Sequence, residues 1–251
     1  RSTLFPYTTL FRSSIHSDYY QTVTTNYSLE DLKEAALRFL IPKGETEVTP
    51  KVREKYKEHL EKSEETYKEF KTDRLSIEEK KACALALSYY TGDKDNSDRL
   101  SQNTNAVLRA SNSKKIIDGW NEGEKFYPLI YYLTKAISSL PFYWGYTLRC
   151  IDLSKEQAFS YQPGVVVTWL NWSSSAMGKK PTVFSERNCY FHIYSFSSRD
   201  ISKFSNYTTE KEALYPPFSH FLVFKNEIDG QQHHIYMRQI EIGLYPNNII
   251  W

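Results

Sequence analysis

The chain has 251 residues and a mass of 29.5 kDa, and its apolar, aromatic and charged shares of 40%, 16% and 25% exclude a collagen-like or generally disordered protein. This length suits one large domain, or one domain with a helical extension. The net charge of +2 comes from Arg1 and Arg12, because the other basic residues balance the 30 acidic ones, so the charge predicts no nucleic acid as partner.

The N-terminal segment stands apart from the rest of the chain. Residues 3–13 resemble the conceptual translation of a sequencing adapter, so residues 1–13 are predicted to be non-native, with the native N-terminus missing. The three cysteines show no spacing typical of zinc sites and favour a cytoplasmic over a secreted location, although one disulfide with one free thiol stays open. No run of residues is long and apolar enough to predict a membrane span.

Helical patterns occupy the chain up to Pro141. The predicted helices cover residues 28–41, 51–71, 76–91, 97–110 and 124–139. Capping boxes that start at Ser28 and Ser76 begin the first and third helices. The second helix is dominated by Lys and Glu and is predicted to be exposed or packed against a partner. We therefore assign residues 14–74 to a charged helical extension.

Beyond Pro141, short runs rich in aromatic and β-branched residues predict strands. These runs cover residues 143–153, 164–172, 189–196, 212–225 and 233–244. Helices first and strands afterwards predict an α+β fold rather than a βαβ winding. The chain has no GxGxxG or GxxxxGK motif, which disfavours a doubly wound nucleotide-binding fold.

Two carboxylates, Glu210 and Glu212, stand two positions apart in a segment predicted to be extended, so they face the same side while Lys211 points away. Two carboxylates in one pocket raise the pKa of at least one of them. That arrangement suits general-base catalysis or the stabilisation of a cationic transition state, as in glycosyl transfer. The alternative is an ordinary solvent-facing strand.

Two further pieces carry candidate chemistry. Arg149 interrupts an apolar strand, and because an unpaired buried charge costs several kcal/mol, it requires a phosphate or carboxylate ligand or a structural salt bridge. The hydroxyls of Ser173, Ser174 and Ser175 follow the strand over 164–172. They can orient a glutamate and ribose hydroxyls, or they can simply begin a turn.

In this order, Arg149, the serines and Glu210-x-Glu212 resemble the signature of the arginine-specific mono-ADP-ribosyltransferase family, the ecto-enzyme and toxin-like group. The resemblance covers about residues 75–245. It includes the pair Tyr90-Thr91, the motif Asn105-Ala-Val-Leu-Arg109, and the motif Glu210-Lys-Glu-Ala-Leu-Tyr-Pro-Pro217. The chain departs from the family pattern at three positions. Leu148 stands where an aromatic residue is common, and Cys150 stands where Gly is usual. If Ser174 is the key serine, Ala176 takes the position of the second serine.

The resemblance implies a helical half followed by a mixed, mainly antiparallel β-sandwich, with residues 75–251 as the catalytic domain. It also implies transfer of ADP-ribose from NAD, as substrate, to a protein arginine acceptor, without a metal. Glu212 would bind the nicotinamide ribose and stabilise the oxocarbenium-like centre, and Glu210 would orient and deprotonate the acceptor guanidine. Arg149 and Ser173 would hold NAD, and Ser174 would bind it and fix Glu212.

Three alternatives stay open. NAD hydrolysis, with water as acceptor, needs the same residues. A catalytically degenerate NAD-fold binding module is also possible, but such a module has no physical need for two adjacent carboxylates. The third is a Cys/His hydrolase built on Cys150 or Cys189 with His192; His192 alternates with apolar residues, which favours a structural role.

Overall fold

The computed structural model describes residues 26–41, 45–92, 127–169, 171–178, 186–207 and 211–241. Within these ranges the helices are α1 (Leu29–Leu40), α2 (Pro50–Thr66), α3 (Ile77–Thr91), α4 (Tyr127–Ser139) and α5 (Lys155–Ser160). The strands are β1 (Phe142–Ile151), β2 (Val166–Trp169), β3 (Ser173–Met177), β4 (Cys189–Asp200), β5 (Glu212–Tyr215), β6 (Ser219–Asp229) and β7 (Gln232–Ile240). Four helices precede the first strand and only the short α5 interrupts the strands, which confirms the predicted α+β class.

Tertiary contacts divide the chain into a helical unit, residues 1–140 with 203–208, and a strand unit, residues 141–202 with 209–251. The boundary predicted between residues 74 and 75 stays a prediction. The helix predicted over 97–110 and the adapter-like segment 1–13 both lie outside the described residues.

The capping boxes at Ser28 and Ser76 are confirmed. In each, the serine side chain accepts a hydrogen bond from the backbone N–H three residues later, and the acidic side chain at that position accepts one from the serine N–H. Helix α3 ends at Gly92, whose φ of 65° lies in the left-handed region that glycine tolerates.

Helix α3 is the core helix of the helical unit. The sequence predicts one buried side, but every residue of α3 from Ala82 to Thr91 is buried. The reason is that α1, α2 and α4 all pack against this helix and cover it on several sides. Small residues such as Ala82, Ala84 and Ala86 allow those neighbours to approach closely.

The strand unit is built on one mixed sheet with the strand order β1-β3-β5-β4-β7-β6-β2. Only the β4–β7 pair is parallel among the described strands, which confirms a mainly antiparallel arrangement. Strand β1 pairs with β4 as well as with β3, and β5 joins β3 to the end of β4. These four strands therefore close into a ring, and β1, β3 and β5 become neighbours.

Two predicted strands differ from those in the structure: one is shorter and one is divided. The run predicted over 164–172 ends as β2 at Trp169, and the serines do not begin a turn but form the separate strand β3. The run predicted over 212–225 contains β5 and β6. Pro216 and Pro217 separate them, because neither has an N–H to donate to a strand ladder, and Phe218 follows with a φ of 64°.

One face of the sheet holds the apolar core of the strand unit. The core residues are Ala158, Cys189, Phe191, Ile193, Tyr215, Phe221, Val223, Ile235 and Met237. Because strand residues alternate, their neighbours Tyr190, His192 and Tyr194 on β4 project from the opposite face. We call that opposite face of β1, β4, β6 and β7 the outer face.

All three cysteines are free thiols, and two of them, Cys83 and Cys189, are buried. The open question about a disulfide is thus answered in favour of three thiols. In the part of the chain that the structure describes, no helix is long and apolar enough to cross a membrane.

Candidate functional site

Arg149 lies near the C-terminal end of β1, half-buried on the core side of the sheet. Its guanidinium donates a hydrogen bond to the main-chain oxygen of Ser174. Its Cζ atom lies 5.7 Å from the ring centroid of Trp169, within cation–π distance. The Ser174 carbonyl and the Trp169 ring hold the guanidinium beside strand β3. This strand carries the serines that the sequence motif places together with Arg149.

The three serines of β3 differ in accessibility. Ser173 and Ser175 are 6% and 4% exposed, whereas Ser174 between them is partly exposed. Ser174 pairs with Leu214 of β5, and Ala176 pairs with Glu212. Directly paired residues of antiparallel strands project to the same face, as do residues two apart on one strand. Ser174 and Glu212 therefore share one face, and Ser173 and Ser175 point to the other.

Glu212 is the first residue of β5 and is half-buried. Its main-chain oxygen accepts a hydrogen bond of 2.9 Å from the N–H of Ile201. The main-chain oxygen of Lys211 accepts one of 2.6 Å from the N–H of Met177. The backbone on both sides of the Glu212 Cα is thus fixed to neighbouring strands, which restricts where the carboxylate can reach.

Glu210 lies outside the described residues. The geometry of the Glu-x-Glu pair therefore rests on the sequence argument alone. The strands that carry Arg149, Ser174 and Glu212 are neighbours in the sheet. The pairing of Leu148 with Ala176 turns the Arg149 side chain to the face opposite Ser174 and Glu212, and its guanidinium reaches the Ser174 main-chain oxygen from that side.

The chain that leads into the Glu-x-Glu motif is anchored within the helical unit by Asn206. Its Nδ2 donates hydrogen bonds of 2.8 Å to the main-chain oxygens of Ser88 and Gly92. Its backbone N–H donates to the Thr91 hydroxyl at 3.2 Å. The hydroxyl of Ser88 is in turn 2.7 Å from the Nδ1 of buried His59. Thr91 belongs to a motif visible in the sequence, but its partner Asn206 is 115 positions away and no local pattern indicates the contact.

Trp169 and Tyr161 are also near Arg149 and were not predicted as site residues. The Trp169 ring packs edge-on against Phe191 at a centroid distance of 5.5 Å. Burial raises the pKa of Tyr161, and the positive charge of Arg149 opposes that shift. The only sign of these two residues in the sequence was the position of Trp169, near the end of the predicted strand that precedes the serines.

The geometry disfavours the Cys/His hydrolase. The nucleophile of such an enzyme is a thiolate, but burial raises the pKa of Cys150 to about 11 and also raises that of Cys189. His192 is occupied on both ring nitrogens, by the Tyr146 hydroxyl and by His234 Nδ1 at 2.9 Å. Cys189 points into the core, away from His192 on the outer face.

No group of three or more His, Cys, Asp or Glu side chains within the described ranges could hold a metal ion.

The chain is similar to known proteins in both sequence and fold. Residues 37–242 match the model of the family described as NAD:arginine ADP-ribosyltransferase. Mav of Mycobacterium avium (strain 104), whose name assigns it provisionally as an NAD(+)--arginine ADP-ribosyltransferase, is 33% identical over 111 residues, which is 43% of this chain. The chain covers 14% of the length of that relative.

Two solved structures share the fold. The type III effector XopAI from Xanthomonas axonopodis pv. citri has a TM-score of 0.66 at 18% identity, over 92% of this chain and 90% of that one. The ADP-ribosyltransferase HopU1 of Pseudomonas syringae pv. Tomato DC3000 has a TM-score of 0.56 at 17% identity, over 86% and 99% of the two chains. At these identities the similarity establishes the fold and nothing finer.

Proposed function

The chain belongs to the NAD:arginine ADP-ribosyltransferase family, and from this we propose that it transfers ADP-ribose from NAD to arginine side chains of a protein acceptor and releases nicotinamide. NAD is the substrate, and the reaction needs no metal. The transition state has oxocarbenium character at the ribose carbon that leaves nicotinamide.

The observation that carries this proposal is the register of β3 and β5. It turns Ser174 and Glu212 to one face, and the guanidinium of Arg149 bonds to the backbone of the same serine. A carboxylate and a hydroxyl on one face, with a guanidinium bonded to the backbone of the same strand, supply what the reaction requires: negative charge for the developing cation, a positioning hydrogen bond, and positive charge for the NAD phosphates.

Each residue has a role in this proposal. Glu212 bonds the ribose 2′-hydroxyl and stabilises the cationic centre, and Ser174 holds the Glu212 carboxylate in place. Arg149 binds phosphate or ribose oxygens of NAD, and Ser173 contributes to the same subsite. Glu210 receives the acceptor guanidinium and takes its proton as the new C–N bond forms.

NAD hydrolysis is the close alternative, because water can capture the same oxocarbenium-like species. A catalytically degenerate binding module is the more distant one, and it would bind NAD without cleaving it.

The test is to incubate the purified chain with labelled NAD, with and without agmatine as a free guanidine acceptor. Release of nicotinamide with label on agmatine supports transfer, release without labelled agmatine supports hydrolysis, and NAD binding without release supports the degenerate module.

Glu212→Gln is expected to lower both activities by a factor of about 100 or more, since loss of a group that stabilises transition-state charge costs on the order of 3 kcal/mol or more. Lys211→Gln is the matched control: it changes an exposed neighbour that points away, and it should retain activity. Wild-type turnover in Glu212→Gln, with an unchanged thermal melting curve, would remove Glu212 from the mechanism.

A further inference from the structure

The outer face of the sheet carries a cavity of about 530 Å³ that the proposed reaction does not use. We call it the outer groove, and it is lined by Trp144, Tyr194, Ser195, Phe196, Phe224, Arg238 and Gln239. Trp144 and Tyr194 project from the outer face. Phe191, which pairs with Arg149, projects from the opposite face into the core. The groove and the Arg149 side chain thus lie on opposite faces of β1 and β4.

The aromatic walls of the outer groove are exposed to an unusual degree. Trp144 is 85% exposed, Tyr194 56% and Phe224 46%. The rings of Tyr194 and Phe224 lie 6.1 Å apart, and Tyr146 braces Tyr194 edge-on at 5.9 Å. Adjacent exposed rings on a sheet face leave apolar area in water, and such patches mark interaction surfaces more often than scattered apolar residues do.

The side chains of Gln239 and Ser195 in the groove are satisfied internally, whereas Arg238 is not paired with an acidic residue among those described. The side-chain oxygen of Gln239 accepts hydrogen bonds of 3.1 and 3.0 Å from the N–H groups of Phe196 and Ser197. Ser195 shares a hydrogen bond of 2.6 Å with Ser198. Arg238, by contrast, is exposed and forms no ion pair with the described residues.

The charge of the groove is therefore positive. Its lining contains no Asp or Glu. The residues paired with Arg238 on the neighbouring strands, Leu222 of β6 and Tyr194 of β4, carry no charge. An available guanidinium beside three aromatic rings is complementary to a carboxylate adjacent to an apolar side chain.

We propose that the outer groove docks an acidic-apolar segment of a partner protein. A Leu, Phe or Trp side chain of the partner packs among Trp144, Tyr194 and Phe224, and an Asp or Glu within a few positions of it pairs with Arg238. The open, shallow form favours a protein over a small molecule, which is usually enclosed on most sides. Trp, Tyr and Arg are also the residue types that contribute most binding energy at protein interfaces.

The experiment is a selection of random peptides displayed on phage against the full chain, followed by fluorescence anisotropy with the enriched peptides. We expect enriched sequences that combine an acidic residue with a large apolar residue. Trp144→Ala and Arg238→Glu should each weaken their binding by about tenfold or more, as for an interface hot spot. Arg238→Lys should keep part of the affinity, because the charge remains.

Two matched controls lie elsewhere on the surface: Phe159→Ala removes another exposed ring, and Arg53→Glu reverses another exposed charge. Both should bind peptide like the wild type. NAD turnover and the melting temperature of every variant report on folding, and Arg238→Glu remains informative if Trp144→Ala is unstable.

Four outcomes would overturn the proposal. Enrichment of basic or purely polar peptides, or of none, would contradict the charge argument. Binding of AMP that Trp144→Ala abolishes would make the groove a nucleotide site. A dimer in sedimentation that Trp144→Ala dissociates would make the occupant a second copy. Peptide binding that appears only after the chain is cut behind Glu241 would make the occupant the chain's own C-terminal segment.

Discussion

In the proposed reaction, the two glutamates of the Glu-x-Glu motif act on different substrates. Glu212 starts strand β5, where its backbone is tied to Ile201. Glu210 precedes it by two positions, which on extended backbone is about 6.5 to 7 Å along the same side. That spacing allows Glu212 to stay on the NAD ribose while Glu210 meets the acceptor.

We therefore expect Glu210→Gln to suppress transfer to agmatine and to leave appreciable NAD hydrolysis. A carboxylate attracts a guanidinium and accepts its proton, and a Gln amide does neither well, whereas water needs no such help to capture the cationic species. Rates of nicotinamide release and of agmatine labelling, measured in the same reaction, separate the two steps. An equal loss of both rates would indicate that the carboxylates act as one coupled unit at the ribose.

His192 is a second residue whose surroundings determine its chemistry. Burial, and then the neighbouring His234, lower the pKa of His192 from 6.5 to about 4, although Glu227 acts in the opposite direction. Tyr146 and His234 bond its two ring nitrogens, and the ring of Tyr236 stacks on it at 4.4 Å. The imidazole is therefore neutral in the folded protein near pH 6.

The unfolded chain takes up a proton on His192 below about pH 6.5, and the folded chain does so only near pH 4, so acid favours unfolding across this window. We expect His192→Gln to flatten the fall in unfolding free energy between pH 6.5 and pH 4. Urea unfolding at several pH values measures the slope, and an NMR titration of the His192 ring in the wild type checks the pKa directly. Equal slopes for variant and wild type would show that His192 is not a source of acid sensitivity.

At the scale of elements, the C-terminal end of α3 depends on a residue far away in sequence. The Asn206 side chain donates to the carbonyls of Ser88 and Gly92 at the end of α3. The Gly92 carbonyl lies beyond the last helical residue, and the Ser88 carbonyl accepts from Asn206 in addition to the Gly92 N–H. The same residue thereby connects the helix end to the segment Lys203–Thr208, which the contacts assign to the helical unit.

Asn206→Ala is expected to destabilise the helical unit by about 1 to 2 kcal/mol, because two well-aligned hydrogen bonds are lost and water only partly replaces them. Asn206→Asp should not restore stability, since a carboxylate cannot donate to the two carbonyls. Denaturant unfolding followed by circular dichroism measures both variants. An unchanged unfolding midpoint in Asn206→Ala would mean that the anchor contributes little.

At the scale of the whole molecule, the family match over residues 37–242 extends across parts of both the helical unit and the strand unit. Residues 1–13 precede that match and lie outside the described residues, so their assignment as a non-native segment stays a prediction.

Deletion of residues 1–13 is expected to leave both the melting temperature and NAD turnover unchanged, because an adapter-derived peptide has no evolved packing partner. Differential scanning fluorimetry and the nicotinamide-release assay on both chains test this. A decrease of several degrees in the melting temperature would show that the segment belongs to the fold, whatever its origin.

The sequence by itself determined what depends on neighbouring residues. The caps at Ser28 and Ser76 are local hydrogen bonds, so a short motif specifies them. The order of helices and strands followed from hydrophobic periodicity, and the family followed from a motif of closely spaced residues.

Only the tertiary structure decided what depends on pairing across the chain. The register of β3 with β5 selects Ser174, rather than Ser173 or Ser175, for the face of Glu212, because a shift of one residue would reverse the side of every side chain. The partner of Thr91 and the aromatic lining of the outer groove likewise come from residues distant in sequence. Local composition cannot specify such contacts, since they depend on which strands become neighbours when the ring of β1, β3, β5 and β4 closes.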